Sequence, residues 1–200
     1  QAFADRLEAG WGGFAGVLKA VPAGRPDSVP SKYLMDRFKV KLRYAGKPYC
    51  TVLFEVGHSE IGSADFPVER LGSDIATIFA EVGLPEPAPV RVMTAEHQVA
   101  QKLHACTGPG AEGRAHDLVD IQVLAAIEDL DYEEIGRIGP QLFAYRKGHE
   151  WPPTVVSYDG WIGLYASAID DLVNNAVFDE LDDAVEFAND IIARAVNAAR

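Results

Sequence analysis

The sequence predicts an α+β fold, with a sheet-bearing first half and a helical second half, on three observations. Arg37, Lys39, Lys41 and Arg43 alternate with Phe38, Val40, Leu42 and Tyr44, a strict period of two that marks a half-buried strand. Near the C-terminus, Leu181, Ala184, Val185, Ala188, Ile191, Ile192, Ala195 and Val196 recur at helical spacing and share one face. Between these regions, Pro85-Glu86-Pro87-Ala88-Pro89 reads as an extended connector. The expected division is an α/β part over 1–89 and a mainly helical part over 90–200.

Taken in order, Ala2 to Leu7 reads as the end of a helix. Gly12, Gly13, Gly16, Pro22, Gly24, Pro26 and Pro30 make a loop-rich stretch after it. The alternating strand leads through a turn at Ala45-Gly46-Lys47-Pro48 into Tyr49–Val56, which is rich in β-branched and aromatic residues. The pair is therefore an antiparallel hairpin with one apolar face. A three-residue loop would set Arg37 or Lys39 opposite or beside Glu55. A four-residue loop would put Glu55 on the face of Phe38 and Val40, a poor place for a carboxylate, so the first register is expected. Leu71–Val82 reads as a helix ended by Gly83, and Val90–Met93 as a short strand. Thr94 caps a helix running to about Cys106, with Glu96 in its first turn favouring the positive end of the dipole. A Gly/Pro loop, Thr107–Gly113, leads into a helix from about Ala115 to Ala126. Further helices are expected at Tyr132–Ile138, Asp159–Asn175 and Asp179–Ala199.

Two hundred residues, 48% of them hydrophobic and 24% charged, suit one full domain or two small ones. The 18 Lys and Arg against 30 Asp and Glu give a net charge of −12. That field repels phosphate at long range and excludes general DNA or anionic-lipid binding, so a phosphate-bearing substrate needs a local basic patch. The cationic strand Arg37–Arg43 is the obvious place for one. The longest apolar stretches, Ile121–Ile127 and Ile191–Ala199, fall short of the roughly 20 residues that span a bilayer, and no signal peptide opens the chain. Cys50 and Cys106 are far apart and read as buried free thiols in a reducing cytoplasm, the expected location. GxSxG, HExxH, Walker and GxGxxG motifs are absent.

The chemistry-bearing segments are Ala95–Ala105 and Arg114–Ile121. Gln98 and Lys102 share a face of the first helix, while Asp117 and Asp120 face one way on the second and Leu118 and Ile121 face the core. The short loop makes the helices antiparallel neighbours, so Lys102 and Asp117 meet across it. Taken alone, such a pair reads as a structural salt bridge between packed helices.

The run AEHQVAQKLHA followed by RAHDLVDI, preceded by DRFKVKLRY and TVLFEVG, resembles the AbiEii/AbiGii toxin family of nucleotidyltransferase-like proteins over roughly residues 33 to 127. The resemblance implies a polymerase-β-like nucleotidyltransferase core, a mixed sheet with an antiparallel hairpin, plus a helical C-terminal region. It also implies the toxin half of a toxin–antitoxin pair, with NTP as substrate, Mg²⁺ as cofactor, tRNA as a possible acceptor and a cognate antitoxin as partner. By position, Lys102 and Asp117 match the family's catalytic residues, and Glu55, near a strand end, matches its metal-binding carboxylate. Arg37, Lys39, Gln98 and Arg114 are the expected nucleotide and phosphate contacts. The residue chemistry suits these roles: a lysine is a compact cation for a triphosphate, and a carboxylate can orient it or take a proton from an attacking hydroxyl. The family's first motif, Gly-Ser followed by Asp-x-Asp, has no match in residues 1–54, and Gly62-Ser63 and Gly72-Ser73 both follow Glu55. Since the chain opens on Gln1 and not on Met, two expectations follow. Either that motif precedes Gln1, or the chain is a degenerate relative that binds nucleotide or protein without catalysing. YRKGHEWPP is also similar to family members, without an assigned role.

Overall fold

The alternation along Arg37–Tyr44 is realised as the central strand of a three-stranded antiparallel sheet. The structure, a computed structural model, describes residues 1–22, 35–57, 59–170, 172 and 177–200, and divides into two units, Gln1–Ser59 and Glu60–Arg200. The connector Pro85–Pro89 lies inside the second unit. Gly24, Pro26 and Pro30 lie outside the described residues.

The first unit contains helix α1 (Ala2–Ala9) and strands β1 (Phe14–Val21), β2 (Asp36–Tyr44) and β3 (Lys47–Val56), in the order β1-β2-β3. Strand β1 occupies part of the stretch expected to be loop. Its Gly16 serves close packing and not a turn. A Cβ there would lie 2.9 Å from a Leu42 methyl and 3.4 Å from one of Leu7, so glycine gives these side chains a close seat that a larger residue would make them shift to keep. Leu7 and Val40 are the buried apolar side chains of this small core. In the β2–β3 hairpin, Ala45 (φ 47°) and Gly46 (φ 78°) both adopt the left-handed conformation of a tight two-residue turn. The register then slips by one residue between Leu42 and Arg43, because Leu42 pairs with Cys50 and Arg43 with Pro48, leaving Tyr49 as a bulge. A two-residue loop plus a one-residue bulge gives the same register as a three-residue loop, and Arg37 pairs with Glu55 as expected.

The second unit opens with strand β4 (Val68–Arg70), which the sequence did not suggest and which pairs antiparallel with β5 (Val90–Val92). The mixed sheet expected for the core is thus not what the described residues form. Their strand pairs are all antiparallel and lie in two separate sheets. Helices α2 (Ser73–Glu81), α3 (Ala95–Thr107), α4 (His116–Ile127), α5 (Tyr132–Arg146), α6 (Trp161–Asp170) and α7 (Leu181–Ala198) make up the rest, with a 3₁₀ turn at Ala111–Gly113 before α4. Of the helix expected over Asp159–Asn175, residues 171 and 173–175 lie outside the described residues. The core joins Val99, Leu103 and Cys106 of α3, Leu118 and Ile121 of α4, Trp161 and Tyr165 of α6, and the α7 face. On that face Leu181, Ala184, Ala188, Ile191, Ile192 and Ala195 are buried, and Val185 and Val196 pack partly buried against them.

Helix α5 runs eight residues past the expected Ile138, straight through Pro140. An internal proline costs a helix roughly 3 kcal/mol. Here Pro140 lies on the exposed face, while Ile135, Ile138, Leu142 and Phe143 are buried on the other and hold the helix together across it. Among the described residues no helix is long and apolar enough to cross a membrane.

Candidate active site

The second unit's candidate site is built from α3, α4 and the end of α5. Thr94 caps α3, its Oγ1 accepting from the His97 backbone N–H, so the helix starts where the sequence indicates. From that start, Gln98, Gln101, Lys102 and Ala105 fall on one stripe, spaced three, four and seven residues from Gln98. The loop back to α4 is fixed by a fully buried Ala111, whose carbonyl accepts from the Trp161 indole at 3.1 Å. Arg114 and Asp117 thereby come opposite the α3 stripe. Together with Arg146 from the last turn of α5, these residues line an open pocket of about 450 Å³, with Val92 and Met93 at one side.

The electrostatics centre on Asp117, whose side chain is only 1% exposed. Arg114 Nε donates to its Oδ2 at 2.7 Å, and Lys102 Nζ stands 3.6 Å from its Oδ1. The expected Lys102–Asp117 meeting is therefore present, yet the lysine's hydrogen bond goes to Asp120 Oδ2 at 2.5 Å. Lys102 sits between both carboxylates of the D-x-x-D pair. Gln98 lines the same pocket and donates from Nε2 to the Met93 carbonyl at 2.8 Å, bracing the corner between β5 and α3. Cys106, buried behind the site, is no nucleophile: burial first, and then the negative charge of Asp117, push its thiol up to about 12. Arg146 donates to Glu60 Oε2 from Nε at 2.9 Å and from Nη2 at 2.5 Å, and the same oxygen takes Gln101 Nε2 at 3.2 Å.

Beside this site, the rings of His149 and His104 pack at a tilt of 45° with centroids 4.6 Å apart. The Thr107 hydroxyl donates to the Leu103 carbonyl and accepts from His149 Nε2, and His104 Nε2 donates to the Lys147 carbonyl. Burial lowers the pKa of both rings.

On the first unit, Arg37 Nε and Glu55 Oε1 form a cross-strand ion pair at 2.7 Å. Lys39, Lys41 and Arg43 share that face of β2. The register adds Lys19 of β1, which lies directly opposite Lys39. Val17, Lys19, Lys41, Arg43, Tyr49 and Thr51 line a groove of about 650 Å³ there.

Sequence reasoning singled out Lys102, Asp117, Gln98 and Arg114, which the second unit brings around one pocket. Arg37, Lys39 and Glu55 belong to the first unit, where they share a sheet face. Missed were Asp120 as the partner of Lys102, Lys19 for want of strand β1, and Arg146 with Glu60. The signal for Arg146 was present in YRKGHEWPP, but its contact with a residue 86 positions earlier was not. Among the described residues no three His, Cys, Asp or Glu side chains converge to hold a metal ion. The described carboxylates therefore do not by themselves build the Mg²⁺ site that the resemblance implies, and Glu55 already faces a guanidinium.

The described chain is thus α+β, with Lys102 of α3 and Arg114 and Asp117 at the start of α4 turned to one pocket. A family model, that of the nucleotidyl transferase AbiEii toxin of type IV toxin–antitoxin systems, matches residues 7–193. The chain belongs to this family. The match extends well beyond residues 33–127 at both ends, and membership makes a cognate antitoxin its counterpart. A search of curated proteins finds no match.

Proposed function

We propose that the second unit's pocket binds the phosphates of an NTP and that the protein transfers a nucleotide to an acceptor such as tRNA. The observation that supports this reading is the set of three cations, Lys102, Arg114 and Arg146, lining one pocket around the buried Asp117. Guanidinium forks and a lysine suit a phosphate chain. Asp117 acts as the fixed anion that orients Lys102 and Arg114, or as the base toward the attacking hydroxyl, and Gln98 contacts the nucleotide. On the first unit, Arg37 and Lys39 are proposed phosphate contacts and Glu55 a metal-binding carboxylate, each by its own side-chain chemistry. Mg²⁺ would enter as the counter-ion of the triphosphate. The polymerase-β-like core and a cytoplasmic location belong to the same reading.

A second reading, nucleotide binding without transfer, is favoured by one observation: the described carboxylates do not converge on a metal site. Incubation with labelled NTPs, Mg²⁺ and total tRNA separates the two. Label entering tRNA, and lost in Lys102→Ala and Asp117→Ala, supports transfer. Nucleotide bound without incorporation supports the second reading, and full transfer by both variants refutes their catalytic roles.

A further inference from the structure

Lys102 and Arg114 find their carboxylates on α4, within the two-helix motif. Arg146 draws its partner, Glu60, from the irregular segment before β4. We propose that Arg146 is a phosphate-binding cation of the pocket and that Glu60 is its internal stand-in. The carboxylate occupies the guanidinium until the phosphate chain of a nucleotide displaces it. The proposal rests on the phosphate-binding reading above and adds its regulation.

Charge balance makes the case. Lys102, Arg114 and Arg146 are matched by Asp117, Asp120 and Glu60, so an incoming polyphosphate gains full attraction only where a carboxylate withdraws. Asp117 is buried and bonded to Arg114, which stands just before its helix. Asp120 shares Lys102 with Asp117, so its departure leaves that lysine still neutralised. Glu60 is the carboxylate whose departure presents a guanidinium fork to the ligand, and the fork that grips one carboxylate oxygen through Nε and Nη2 suits a phosphate equally well.

The way Glu60 is held points in the same direction. It lies in no helix or strand. Its backbone N–H donates to Ser63 Oγ at 3.2 Å, and its carbonyl accepts from the Ser63 N–H at 2.9 Å. Next to it, Ile61 packs against the cluster of Ala100, Ile138 and Leu142 with φ at 43°. A β-branched residue adopts that left-handed conformation only when its surroundings enforce it, and strain of this kind gathers at switch and ligand-clamping segments. The turn therefore aims Glu60 at Arg146 while leaving its carboxylate held by side chains alone, which a competing anion can replace.

Inorganic tripolyphosphate titrated calorimetrically into the full chain tests this, with melting curves taken alongside. Glu60→Gln keeps the shape and removes the charge. It should bind about tenfold tighter than wild type, the scale of one charge-assisted hydrogen bond, and Arg146→Gln about tenfold weaker. In the Arg146→Gln background, Glu60→Gln should bring no gain. Glu60→Asp, too short to reach the guanidinium, should give part of the gain and serves if the glutamine variant melts early. A gain that persists without Arg146, or no gain in either Glu60 variant while wild type binds, overturns the stand-in and spares the site. Absence of binding in every chain overturns both readings.

Discussion

Replacing Asp117 by Asn removes one negative charge from the centre of the second unit's pocket and changes almost no volume. The carboxylate is 1% exposed, with Arg114 at 2.7 Å, Lys102 at 3.6 Å and the His116 ring at 3.8 Å. Losing the charge-assisted hydrogen bond to Arg114 costs about 1.5–3 kcal/mol, and the new amide turns either its N–H₂ or a weaker acceptor toward a cation. Water recovers part of that loss, because Arg114 is 42% and Lys102 24% exposed at the side chain. The net expectation is about 2 kcal/mol of stability, which in a domain of this size lowers Tm by roughly 4–8 °C. Thermal melts followed by far-UV circular dichroism measure it. A double-mutant cycle with Arg114→Gln should return about 1–2 kcal/mol of coupling, since the two side chains touch. A variant melting within 1 °C of wild type, with no coupling to Arg114, would refute the picture of Asp117 as the anion that holds the pocket's cations.

Three further outcomes follow from the same geometry. Ellman titration of the native protein should count one fast thiol, Cys50, which lies exposed on β3 and not buried as expected, and two after denaturation; fast reaction of both in the native state would contradict the burial of Cys106 beside Asp117. Because burial holds both His104 and His149 below the ordinary imidazole value, the unfolded chain binds protons first on acidification. Stability from this pair is complete above about pH 6.5 and declines as pH falls below it, so Tm should drop from pH 7 to pH 5.5 and drop less in His149→Gln. Glu55→Gln breaks an ion pair whose side chains are 47% and 33% exposed, and should shift stability by less than about 0.5 kcal/mol. An unchanged melt with lost transfer would assign Glu55 to chemistry, and a large drop in Tm would assign it to structure.

The parts of this fold that were legible in the sequence are those whose cause is local. Period-two alternation in β2, the Thr94 cap and the α7 stripe are each written in one short continuous stretch of sequence, and each forms where expected. Strand β1 was not legible, because Gly16 looks like a loop residue until the methyls of Leu42 and Leu7 are seen packed close over it. Gly139-Pro140 likewise signals a helix end, and burial on both sides of it carries α5 on to Arg146. The Arg37–Glu55 pairing came out as expected through a different turn, since a bulge at Tyr49 restores what the two-residue loop removes. In the candidate site, Lys102 and Asp117 were legible because a short loop joins their helices. Arg146 and Glu60 were not, because nothing in a spacing reports that a helix end and a distant turn will meet.

The net charge of −12 hides an uneven distribution. Residues 1–59 carry nine of the 18 Lys and Arg but five of the 30 Asp and Glu. On one face of the sheet, Lys19, Arg37, Lys39, Lys41 and Arg43 stand with Glu55 as the acid paired among them. Salt screens charges beyond about 8 Å at physiological ionic strength, so a phosphate within that distance of this face is attracted by these cations. The exclusion of general DNA binding from net charge thus concerns approach from a distance. On the proposed reading, phosphate contact would be decided locally, by the positive sheet face in the first unit and by the pocket of matched charges in the second. Phosphate binding at the sheet would fall steeply with added salt, as counterion release requires, whereas at the pocket it would also depend on which carboxylate gives way.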